Sequence, residues 1–218
     1  MRNLVLRTGL VTILVAAGIG AGYQTASADT PAGVADLGSA EFTKGGTTVS
    51  LPTIAPCDVD GVASESSTAV KKTGITFGGG TSSCTRTVVD PDNEVTTTKS
   101  TATGKDFELS ALLSVGGPRI KLRSYTVTCT ATQDGTNSKW TFSGLTGISG
   151  LPSSIPAGYV KPIKKGVNGP VLANAEFNIS EQPGDGSISL TMLRITFAPD
   201  SGITGSVTLG STACAPTP

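Results

Sequence analysis

Apolar residues along this chain recur mainly at alternate positions, in short stretches. Between Arg119 and Thr132, Ile120 and Leu122 point one way while Arg119, Lys121 and Arg123 point the other. After Ser124 the parity changes, and Tyr125, Val127 and Cys129 become the apolar set. The stretch from Ser187 behaves likewise: Ile188, Leu190 and Met192 give way to Leu193, Ile195 and Phe197. Period-two alternation marks a strand buried on one face. A change of inward parity within it predicts a β-bulge or a passage between sheets.

Further strands are expected over 47–54, 73–77, 85–89, 94–103, 139–144, 174–181 and 206–212, separated by Gly, Pro, Asn and Asp. The total of about nine or ten short strands predicts an all-β fold, an antiparallel β-sandwich or flattened barrel. The run 107–115 fits a strand or a short helix. The stretch 147–170 carries Pro152, Pro156, Pro162 and Pro170 together with Lys161, Lys164 and Lys165. Proline removes ladder donors, so this stretch is expected to be a long loop or an edge excursion. Residues 29–46 are expected to form a loosely held N-terminal arm, and 47–218 a single domain.

The N-terminus changes the picture of where the domain works. Arg2 and Arg7 precede an apolar run from Leu10 to Ile19, and Ala26-Ser27-Ala28 supplies a small-x-small pattern. Residues 1–28 therefore read as a signal peptide cleaved after Ala28. No later apolar stretch approaches a membrane span, and no sorting motif follows Cys214. The expectation is a secreted, extracellular protein, with loose association with the cell wall as its other form. Lys and Arg number 16, as do Asp and Glu. Loss of Arg2 and Arg7 leaves a slight acidic excess, which gives no general hold on nucleic acid.

Cys57, Cys84, Cys129 and Cys214 are an even set in an exported chain, which reads as two disulfides. Spacing alone allows three pairings. Cys57–Cys84 with Cys129–Cys214 is favoured because each half then closes on itself. In the chain-entropy model the two loops contribute roughly 3.6 and 4.6 kcal/mol.

The chain contains no histidine. That excludes Ser-His-Asp and Cys-His activation and the common histidine metal sets, so no catalytic residue, metal site or cofactor is assigned. Thr68-Ala69-Val70-Lys71 only approximates a Ser-x-x-Lys motif and reads as a surface turn. Carboxylate pairs could hydrolyse glycans, which is the alternative to a noncatalytic role. Asp90-Pro91-Asp92-Asn93-Glu94 reads as a hairpin turn before a calcium loop. Gly78-Gly79-Gly80 lacks the Lys of a phosphate loop. Trp140 and Phe142 share a face and read as core before sugar platform. Asn178-Ile179-Ser180 is a chance sequon within a strand. Two basic sets remain: Arg119, Lys121 and Arg123 on one strand face, and the lysines at 161, 164 and 165. Either could meet an anionic wall polymer.

The segment from Ala175 to Cys214 carries further information. Ser180-Glu181-Gln182, Gly184-Asp185-Gly186, Leu193-Arg194-Ile195, Val207, Leu209-Gly210-Ser211 and Cys214 together resemble the end of choice-of-anchor P type exported proteins of actinobacteria. The strand Tyr125-Thr126-Val127-Thr128-Cys129 is similar to the family's earlier cysteine-bearing strand, so the resemblance spans 111–214. It implies an exported cell-envelope protein without assigned chemistry, and it supports pairing Cys129 with Cys214. It carries over no catalytic residue. The expected role is structural, adhesive or binding, with a cell-wall polymer or surface protein as partner.

Overall fold

The computed structural model describes residues 30–216. The signal segment and its cleavage point at Ala28 lie outside the described residues. Among the described residues, fourteen strands form two antiparallel sheets. Strands β1 (Gly33–Lys44), β2 (Thr47–Ile54), β3 (Cys57–Asp58), β11 (Tyr159–Lys164), β12 (Val171–Glu181), β13 (Ile188–Phe197) and β14 (Ile203–Cys214) make the first sheet. The second holds β4 (Ser64–Ser67), β5 (Val70–Lys72), β6 (Ile75–Phe77), β7 (Gly80–Asp90), β8 (Val95–Leu109), β9 (Ile120–Thr132) and β10 (Gly135–Ser143). Strand order is β11-β12-β13-β14-β1-β2 in the first and β10-β9-β8-β6-β5 in the second. There, β7 lies beside β8 and carries β4 on its far side.

The two sheets face each other across one main core. Phe42, Leu51, Phe177, Ile195 and Leu209 come from the first sheet, and Phe77, Phe107, Leu122 and Val127 from the second. Phe42 packs on Phe197 with ring centroids 5.3 Å apart, and Phe77 on Phe107 at 5.2 Å. Burying large apolar side chains from two inner faces is what holds a sandwich together, at about 25 cal/mol per Å² of apolar surface.

Two expectations need correction, and two left open are resolved. Residues 29–46 are not a loose arm: 33–44 form β1, an interior strand paired with β14 from Gly33↔Cys214 to Lys44↔Ile203. Ala35, Leu37, Ala40 and Phe42 point from it into the core. The count of nine or ten strands missed short members such as β4 and β5, whose sequences Ser-Glu-Ser-Ser and Val-Lys-Lys lack apolar alternation. The run 107–115 divides: β8 ends at Leu109, and Ala111–Val115 form a 3₁₀ turn. The proline-rich stretch contains the edge strand β11, with Pro162 inside it.

The parity changes take a form other than a bulge. Within β8 and β9 the pairing runs Gly104↔Tyr125, Lys105↔Ser124, Phe107↔Leu122 without a shift of register. Asp106 has a φ of 48°, and Gly144, past the end of β10, one of 66°. The first sheet does the same where Thr191↔Ser211 is followed by Leu193↔Leu209, with φ values of 55° at Asn178 and 61° at Gly210. Each sheet is thus creased along a line crossing several strands, and inward parity flips together on both sides. Left-handed backbone at such a line is inexpensive for Gly and tolerated by Asn and Asp. The creases meet through Tyr125, whose hydroxyl donates to the Leu37 carbonyl at 2.6 Å.

Both disulfides bind one sheet to the other. Cys57–Cys84 joins β3 to β7 and Cys129–Cys214 joins β9 to β14, with Cα separations of 5.6 and 5.9 Å. Cys84, Ser100 and Cys129 are register partners across the second sheet, so both bridges lie at the same pole of the sandwich. Small residues fill the space between them. A Cβ added to Gly33 would lie 2.5 Å from Thr98 Cγ2. The favoured pairing of the four cysteines is the one observed.

Candidate functional site

The outer face of the second sheet is built by strands whose alternate residues are polar and β-branched, a composition suited to a half-buried pleated surface. Its rows follow from register. Thr141, Thr126, Thr103 and Thr81 are successive cross-strand partners, and Lys139, Thr128, Thr101 and Ser83 form the next row. Hydroxyl pairs span the strands, Thr103 with Thr126 and Thr101 with Thr128 each at 3.3 Å. A third row, beyond the crease, runs Thr146, Lys121, Glu108, Thr76 and Lys71.

Charge is divided between the two outer faces. On the second sheet Lys71, Lys99, Lys105, Lys121, Arg123 and Lys139 point outward against Asp106 and Glu108. On the first, Asp36, Glu41, Asp58, Glu176 and Glu181 point outward against Arg194. Arg194 is within 3.9 Å of Glu176. The formal net charge of zero therefore conceals a basic face and an acidic one.

The sequence-predicted ladder sits on this basic face. Arg119 pairs with Glu108 Oε1, and Lys121 Nζ lies 3.4 Å from Glu108 Oε2. Arg123 stands beside them, with its side chain against Gly144. One carboxylate is thus shared between two cations, and an excess of positive charge remains. An open cleft of about 740 Å³ adjoins Arg119 and is lined also by Lys71, Lys72, Thr76, Asp106 and Glu108. Asp106 and Glu108 are the nearest approach there to the carboxylate pair of a hydrolase.

The loop lysines lie around the corner from the ladder. A second cleft, of about 770 Å³, is formed by Gly116–Pro118, Gly147–Ser149, Lys161–Lys164, Gly166 and Val167. Lys161 Nζ donates to the Gly150 carbonyl at 3.3 Å. The sequence singled out the two basic sets separately; the fold makes them neighbours through Pro118 and Arg119. What the sequence missed is the contribution of Lys71, Lys99, Lys105 and Lys139, which only register brings to the same face.

Other candidates resolve into local structure. The Asp90 carboxylate accepts from the Asn93 side chain at 2.8 Å and the Asp92 amide at 3.0 Å, closing the hairpin turn. The Asn93 side-chain bond is the main cause holding Asp90 below the usual carboxylate range. Asp185 is lowered in the same way, first by the Ser187 hydroxyl. Trp140 and Phe142 stack at 5.7 Å and pack on the core, with Phe142 6.3 Å from Phe177. Asn178 of the sequon donates to the Ile155 carbonyl at 3.3 Å. Among the described residues, no cluster of three or more acidic, cysteine or histidine side chains could hold a metal, and no helix is long and apolar enough to cross a membrane. Comparison of the chain with known proteins gave no match to a family model, to a curated protein or to a solved structure.

Proposed function

We propose that this is an exported, noncatalytic sandwich that binds a polyanionic polymer of the cell envelope through the basic, hydroxyl-covered outer face of its second sheet. The observation that carries this reading is the separation of charge onto opposite faces of a domain whose acidic and basic residues nearly balance. Cations spaced across a broad face collect a repeating anion through many weak contacts, and neighbouring hydroxyls supply hydrogen bonds without a deep pocket. The two disulfides are compatible with an oxidising, extracellular setting, as are the export signal and the family resemblance read from the sequence.

Retention of the secreted protein on immobilised polygalacturonate and poly(glycerol phosphate), with dextran as the neutral control, tests the proposal. Binding to the acidic polymers that is released by salt is expected, with loss of retention in a Lys99→Glu, Lys105→Glu, Lys139→Glu variant. Equal retention on dextran, or indifference to the charge reversal, would overturn it. Shortening of either polymer during incubation would instead favour the alternative, a hydrolase working through carboxylates.

A further inference from the structure

We propose that the two basic clefts are subsites of one extended site, so that a single polyanionic chain crosses the Lys71–Lys121 row and turns past Arg119 into the loop cleft. This rests on the polyanion-binding reading above and adds a path and a minimum ligand length to it.

The two clefts share a boundary. Arg119 lines the first and Pro118, its neighbour in the chain, lines the second. The backbone there is packed closely: a Cβ on Gly147 would lie 2.3 Å from the Arg119 carbonyl oxygen. Gly147, which lines the second cleft, is thus set directly against the backbone of Arg119, which lines the first. On one side the row from Thr146 to Lys71 crosses four strand spacings, roughly 19 Å. On the other side Lys161 and Lys164 line the loop cleft, and Lys165 lies over Gly116 at its rim. Cations thus continue around the corner from the sheet face to the edge strand. A monomeric anion gains nothing from that continuity, because it can occupy only one cleft. A chain of linked carboxylates or phosphates gains from every further cation it reaches, since its second contact is intramolecular.

Titration of the secreted protein with a size series of oligogalacturonates, and in parallel with glycerol-phosphate oligomers, tests the path. Affinity should rise with length, then level off once both clefts are filled. A Lys164→Glu, Lys165→Glu variant should lose about tenfold in affinity for the long oligomers and bind the shortest ones as the parent does. Its salt dependence should also be shallower for long ligands only. Both side chains are exposed, and an unchanged thermal melt would confirm that the fold is kept. Length-dependent binding unaffected by the variant would overturn the loop path while leaving the sheet face intact as a binding site. Failure of the parent protein to bind any anionic oligomer would instead overturn the reading beneath it. Binding to phosphatidylglycerol vesicles but to neither polymer would overturn both, with a membrane as the ligand. A preference between the two oligomer series identifies carboxylate or phosphate as the recognised group.

Discussion

Asp36 lies on the outer face of the first sheet, opposite Ser211, and lines a small cleft with Pro56 and Asp58. Burial pushes its carboxyl up from 3.8 to about 6, partly offset by the Gly38 amide. The native state therefore binds this proton more tightly than the unfolded chain does. The sign follows: the contribution is fully present below about pH 4 and is lost as pH rises through about 6. The shift corresponds to at most about 3 kcal/mol. Asp36→Asn should flatten the pH dependence of stability between about pH 4 and 6 and raise stability at pH 7.5, as urea melts at the two ends would show. Tyr125 is a second sensitive position. Burial, with the charge on Asp36 adding to it, raises its hydroxyl far above the usual phenol range, so it stays a donor to Leu37. Tyr125→Phe leaves a buried carbonyl without that partner and should cost about 1–3 kcal/mol in a denaturant melt, with the fold retained.

At the scale of elements, the creases and the disulfides divide the work of holding the sheets together. Cys129–Cys214 closes a separation of 85 residues and Cys57–Cys84 one of 27. Replacing the first pair by alanine should therefore cost more than replacing the second, by roughly 1 kcal/mol in the chain-entropy model, a comparison that paired thermal melts can make. The parity changes at Ser124 and Met192 were legible in the sequence, but their mechanism was not. An extra residue in one strand and a flip shared with its paired strands leave the same trace in a single strand. Only the partners, with left-handed backbone at Asn178 and Gly210, distinguish them. Strand β1 escaped notice for a related reason. Its inward set of Ala35, Leu37, Ala40 and Phe42 changes parity at Gly38 and contains two small residues, so alternation is weak. The basic ladder was readable because its three residues alternate within five consecutive positions, at and just before the start of β9. The face around it was not, because Lys71, Lys99, Lys105 and Lys139 are distant from it in sequence and reach the same face only through pairing.

For the molecule as a whole, the stapled pole brings the ends of the described chain together. Gly33 and Cys214 are register partners, and the Ala215 amide donates to the Ala32 carbonyl at 3.3 Å. A tether at either end leaves from this pole, whereas the loop cleft is built beside Gly116–Pro118 and the start of β9, beyond the crease from the disulfides. This arrangement has a mechanical consequence. Tension applied between the two ends acts across the β1–β14 ladder, so it opens that ladder like a zipper, bond by bond, rather than shearing it. The opening is then short. The covalent route from Gly33 passes through Cys57 to Cys84 and through Cys129 to Cys214, and everything inside those two loops carries no load. Only the stretches 33–57 and 84–129 can lengthen, to roughly 240 Å against roughly 630 Å for the same chain with its disulfides reduced. A domain held under drag at a surface would yield early, pay out a limited length and stop, with most of its second half still clasped in its loop.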